Sequence, residues 1–132
     1  DNMKLIDIYN DYKSKYPDVV IFIKSGKFYL TFDNDALISG LICGYKRVNN
    51  KLGFPEQSLD KVINLFKEKN INIIIDDKQY FNSCNDYYLW LKRANDDLMV
   101  GNMANTLLQV IKEKITSDFN NYEKIRNFLN EL

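Results

Sequence analysis

Between Pro17 and Phe32 the chain reads PDVVIFIKSGKFYLTF, and these residues carry the sequence's clearest chemical possibility. An apolar run from Val19 to Ile23 meets a tight Ser25-Gly26 turn, and an alternating run with Phe28, Tyr29 and Phe32 leaves it. Two such runs joined by a Gly turn predict a β-hairpin. The hairpin sets aromatic rings beside two ammonium groups, Lys24 and Lys27. A flat ring can stack on or wedge against a nucleic-acid base while cations hold the phosphates. The competing reading makes Phe28 a core residue on the face it shares with Leu30 and Phe32, and makes the lysines a solvated hairpin end. Lys46, Arg47 and Lys51 form a second small basic group on a neighbouring hairpin, and the two groups together would make one patch worth a few counterions at most.

Other chemistries find little support. The sequence has no histidine, which removes the commonest general base and the commonest zinc ligand. Cys43 and Cys84 fit no metal or redox spacing and read as free thiols, buried or half-buried, in a reducing cytoplasm. Asp33, Asp35, Asp76 and Asp77 read as helix caps and a strand end rather than as metal ligands. Tyr87, Tyr88 and Trp90 read as packing of a helix on a sheet more readily than as a stacking platform. No nucleophile–base pair and no G-x-x-x-x-G-K-[ST] phosphate loop is present, so no catalysis, metal or cofactor is expected.

The bulk properties suit one soluble domain. Hydrophobic residues make up 45% of 132 and charged residues 27%, enough for a core without disulfides. Eighteen acidic and eighteen basic side chains cancel, which argues against a binder driven by net charge but leaves room for a local patch. No apolar stretch approaches the ~20 residues of a membrane span, and no signal pattern is visible. The chain starts at Asp1, which leaves a tag remnant or an excised domain open.

The elements that must position the hairpin follow from periodicity. Leu5, Ile8, Tyr9 and Tyr12 give a helical face over Met3 to Lys15, ended by Tyr16-Pro17. Val19 to Lys24 predicts a strand buried on both faces, and Lys27 to Phe32 its partner. Asp33-Asn34-Asp35 would cap a short helix from Ala36 to about Leu41. Ile42 to Val48 reads as a strand, Asn49-Asn50 as a turn and Lys51 to Phe54 as a returning strand. From Pro55 a helix bearing Leu59, Val62, Ile63 and Phe66 runs to a left-handed stop at Asn70. Ile71 to Ile75 is a strand, and Asp76 to Gln79 is a polar stretch. Ser83 or Asn85 would cap a helix bearing Tyr87, Tyr88, Trp90 and Leu91, Asn95-Asp96-Asp97 would be a break or a cap, and Leu98 to Ile115 is helical. Ser117 or Asp118 would start a last helix.

Taken together, PDVVIF, SGKFYLTF, DNDA, Gly53-Phe54-Pro55, the Leu59 to Phe66 helix and INIIID resemble, in order and spacing, the N-terminal mismatch-sensing domain of the MutS family. The resemblance covers about residues 3–80. It implies an α+β fold, a small mixed sheet with packed helices, over residues 1–82. Residues 83–132 would add two or three helices packed on it as one compact unit. It implies a non-enzymatic, cytoplasmic module that contacts duplex DNA through the Lys24–Leu30 hairpin. The contacting residues would be Phe28, Lys24, Lys27, Ser25, Gly26 and Leu30, with Lys46, Arg47 and Lys51 beside them. In the family the first Phe of F-Y-E wedges beside a mispaired base and the Glu hydrogen-bonds it. Here Phe28 holds the wedge position, Leu30 stands where the Glu would be, and Lys27 replaces the acidic residue after the Gly. The alternative is a diverged domain of the same ancestry that has lost DNA binding and serves a protein partner. A small-molecule or nucleotide pocket on the sheet is a third reading.

Overall fold

A computed structural model describes residues 4–132. Residues up to Asn95 form one compact unit and Asp96–Leu132 a second. In the first unit, helix α1 (Leu5–Lys15) precedes a hairpin of strands β1 (Val20–Ser25) and β2 (Phe28–Phe32). Helix α2 (Asp33–Cys43) follows, then β3 (Lys51–Pro55), a short 3-10 turn (Glu56–Ser58), α3 (Leu59–Glu68), β4 (Ile73–Ile75) and β5 (Lys78–Tyr80). Helix α4 spans Tyr87–Ser117 and α5 spans Asn121–Asn130. Met3, where the sequence places the start of α1, lies outside the described residues.

The five strands form one mixed sheet in the order β3-β2-β1-β4-β5. Only the central β1–β4 pair is parallel. Strand β1 lies in the middle, so Val20, Ile21, Phe22 and Ile23 are all buried, as their unbroken apolar run predicts. On one face Val20, Phe22, Tyr29, Leu52, Phe54, Ile73 and Ile75 pack with Ala36 and Ile38 of α2 and with Val62 and Phe66 of α3. Phe22 meets Phe54 and Phe66 edge-on at 5.1 and 5.9 Å between ring centroids. On the other face Ile21, Ile23 and Ile74 pack with Tyr9 and its neighbours on α1. The α+β architecture of the sequence reading holds, with two C-terminal helices.

Several local expectations need correction. Asp33 and Asp35 do not cap α2, whose N-cap is Phe32 and which lacks a side-chain cap. Asp35 instead turns inward and is fully buried. Its carboxylate accepts hydrogen bonds from the hydroxyls of Tyr9 (2.8 Å) and Tyr87 (2.6 Å) and from the backbone N–H of Ile21 (3.0 Å). Lys13 Nζ lies 3.1 Å away as an ion pair. Burial pushes the Asp35 carboxyl above its ordinary range, against the pull of Lys13, Tyr87, Ile21 and Tyr9. Burial and the same carboxylate drive the Tyr9 and Tyr87 phenols well above theirs.

Ile42 to Val48 is not a strand. Ile42 and Cys43 finish α2, and Gly44 closes it at φ 78° with its N–H on the Gly40 carbonyl. Val48 makes only an isolated bridge to Lys51, across Asn49 and Asn50 at φ 54° and 60°. Conversely, the polar stretch after Ile75 contains β5. Asp76 and Asp77 both take positive φ and form the two-residue turn that this strand needs. Its polar composition suits the sheet edge it occupies. Asn85 does not cap α4. Its amide accepts from Asn72 N–H and donates to the Asp18 carbonyl. Asn95-Asp96-Asp97 does not interrupt α4, since interior Asn and Asp cost only about 0.7 kcal/mol each relative to Ala. Asp118 sits before α5, where its carboxylate accepts from Asn120 N–H. Cys84 is exposed rather than half-buried, while Cys43 is partly buried, and both are free thiols.

Replacing Asp35 with Ala removes the shared acceptor of two buried hydroxyls and an ammonium. We expect a loss of about 3–5 kcal/mol, measured by urea unfolding of the parent and D35A proteins. Burial also pushes the Cys43 thiol up to about 12. An aromatic disulfide reagent at pH 8 should therefore label Cys84 promptly and Cys43 only on unfolding. Equal labelling rates would contradict this assignment.

Candidate nucleic-acid interface

The β1–β2 hairpin has a two-residue loop, Gly26-Lys27, closed by the Ser25–Phe28 pair. Gly26 takes φ 58° while Lys27 does not take positive φ, the arrangement that a Gly-first hairpin turn requires. The chain therefore reverses at once, and Phe28 begins β2 next to the tip. Phe28 is 50% exposed, whereas Tyr29 and Thr31 are buried on the opposite face. The core reading of Phe28 is thus set aside. Alternation predicted the split of faces; it could not say which face was covered. Thr31 contributes a buried hydroxyl without a hydrogen-bond partner among the described residues.

Register defines what lies around the ring. Phe28 pairs with Pro55, Leu30 with Gly53 and Phe32 with Lys51. Paired residues project to the same side, so Phe28, Leu30, Phe32, Lys51 and Pro55 share one face with Ser25 and Ile23 of β1. Helix α1 reaches Phe32 on this face through Tyr9, at 5.2 Å between rings. Leu30 lies over Gly53: a Cβ there would stand 2.7 Å from Leu30 Cδ2, so the glycine makes room for the leucine. Below Leu30, Phe32, Lys46, Val48, Asn49, Lys51 and Gly53 line an open groove of about 440 Å³. Lys51 lies four residues along the strands from the Phe28 level, roughly 13 Å.

The structure does not assemble all the sequence candidates in one place. Lys24 belongs to the other face. Its Nζ pairs with Glu56 Oε2 at 3.0 Å and sits 5.2 Å from the centre of the Tyr29 ring. The bond to Glu56 raises its pKa. Lys27 is exposed at the tip, and its carbonyl accepts from Glu56 N–H. Arg47 donates to the Asn50 side chain at 3.2 Å. Ser25, Gly26, Lys27, Phe28 and Leu30 therefore cluster at the hairpin, Lys46 and Lys51 gather in the groove below, and Lys24 faces away. Elsewhere, Trp90 is flanked by Lys69 and Arg93, with cations 5.3 and 4.6 Å from its ring, while Tyr87 is taken up by Asp35.

Sequence reasoning missed the role of Asp35. The signal was there in the two tyrosines and a lysine that the helical faces bring inward. Only tertiary proximity joins them, across separations of 26, 22 and 52 residues. Among the described residues no cluster of acidic or thiol groups could hold a metal, and no helix is long and apolar enough to cross a membrane.

Comparison with known proteins agrees with this geometry. The family model for MutS domain I matches residues 3–83, which include α1, the whole sheet, α2 and α3. The DNA mismatch repair protein MutS of Bacteroides fragilis (strain YCH46) is 41% identical over 59 residues. That of Bacteroides thetaiotaomicron (strain ATCC 29148) is 39% identical over 59 residues. Each alignment covers 38% of this chain and 7% of the relative, so the match reaches a small part of those proteins. The fold, the hairpin and the matched residues place the chain in the MutS domain I family.

Proposed function

We propose that the chain is a non-enzymatic, cytoplasmic module that contacts duplex DNA with the tip of the β1–β2 hairpin. Phe28 is the residue that enters or stacks against a base-pair step. The observation that carries this reading is the half-exposed Phe28 ring beside a two-residue turn, on a domain of the MutS family. A weakened step admits a ring at a cost of a few kcal/mol of unstacking. Lys27 at the tip and Lys46 and Lys51 in the groove supply the cations. The separation of roughly 13 Å between the Phe28 and Lys51 levels spans about four base-pair steps of duplex. Lys24, paired with Glu56, contributes less than its position in the sequence suggests.

Leu30 favours a second reading, a domain that serves a protein partner instead. It offers no hydrogen-bonding group where the family pattern has one, and with Phe28 and Pro55 it forms an apolar strip. The two readings separate in one titration. Binding to matched and mispaired duplexes is measured at low and moderate salt with the parent, F28A and L30E proteins. The DNA reading expects a preference for the mispair that falls about tenfold or more in F28A. L30E, which restores a carboxylic group, should keep or raise that preference. The salt slope should correspond to about three phosphate contacts. Absence of binding at low salt would leave the protein-partner reading in place, and weak binding that collapses with salt and ignores Phe28→Ala would show loose electrostatics alone.

A further inference from the structure

The second unit, Asp96–Leu132, lies beyond the residues matched by the family model and presents a different surface. Ile111, Ile115 and Ile125 are its half-buried apolar residues, on α4 and α5. The rest of this part of α4 stays open. Val100, Met103, Leu107 and Val110 follow one another at spacings of three, four and three, and are between 45% and 65% exposed. That is the a/d seam of a coiled coil. Leu107 and Val110 also line a groove of about 390 Å³ whose far wall is Phe128 and Leu129 of α5, and its surface is almost wholly apolar. An apolar stripe this exposed is ordinarily covered.

The same register continues at both ends with charge. The preceding seam position is Asp96 and the following one is Lys114. We propose that this face binds a second copy of the chain, with the two α4 helices antiparallel about a twofold axis midway between Met103 and Leu107. That axis sets Val100 opposite Val110 and Met103 opposite Leu107 of the other copy. It sets Asp96 opposite Lys114 at each end. A parallel pair would instead oppose Asp96 to Asp96 and Lys114 to Lys114. The seam is about 27 Å long from Asp96 to Lys114. The four seam residues alone offer roughly 400 Å² of mostly apolar surface per copy. This is about the apolar share of the ~800 Å² that each partner contributes to a standard interface.

Sedimentation equilibrium of the full chain over a concentration series tests this. The expected result is a species of twice the 15.6 kDa chain mass. Leu107→Asp and Met103→Lys each weaken the dimer by about 100-fold or more, with helical content and urea unfolding kept, since both side chains face solvent in the single chain. Lys114→Asp weakens it about fivefold, and the double swap D96K/K114D recovers the loss, because only the antiparallel register restores opposite charges. A third arm uses a Cys43→Ser, Cys84→Ser background and mixes V100C with V110C protein. A heterodisulfide is expected, and a V100C homodisulfide would indicate parallel pairing and overturn the proposal. A monomer at every concentration would overturn it too, leaving the face to another protein or to further sequence of a longer chain.

Discussion

One buried carboxylate holds the first unit together. Asp35 lies at the start of α2, yet it binds two residues of α1, the backbone of the central strand and the first residue of α4. An isolated ion there would carry a desolvation cost of several kcal/mol. Four donors from three other elements offset it, and each donor is thereby fixed in place. With the carboxylate in place, α1 sits over β1 and β4 at a set position along the strands, and its cover reaches Phe32.

That limit is what creates the exposed hairpin. Tyr9 packs on Phe32 and donates to the Phe32 carbonyl, so α1 covers one end of β2. The other end continues past it, leaving Phe28 half-exposed and Leu30 partly exposed among the described residues. On the opposite face no such gap exists, because Tyr29, Thr31, Leu52 and Phe54 are covered by α2, α3 and Tyr45. One strand therefore contributes alternately to a closed core and to an open strip. The lysines are divided by the same geometry: Lys24 follows Tyr29 to the closed side and is neutralised by Glu56, while Lys46 and Lys51 stay with the open strip.

Much of this was legible in the residues. The unbroken apolar run of β1, the Asn49-Asn50 turn, the amphipathic α3 and the left-handed stop at Asn70 all follow from local rules. The failures share a cause. Asp35 looked like a cap because caps are local, whereas its partners are distant. Ile42 to Val48 looked like a strand because apolar residues alternate loosely, but Gly44 ends a helix there. Strand β5 was hidden because an edge strand may be polar, and its Asp-Asp turn is an unusual choice for positive φ. In the candidate site, alternation put Phe28 and Tyr29 on opposite faces, but the position of α1 decided which of them met solvent.

The two-residue Gly26-Lys27 loop has one more implication. It leaves no slack between the strands, and the Phe28 backbone is held by β1 on one side and β3 on the other. The ring is presented ready-made, so an encounter spends little conformational entropy arranging it. Loosening that reversal by inserting residues would leave the sheet intact while making the aromatic group a poorer probe of whatever it meets.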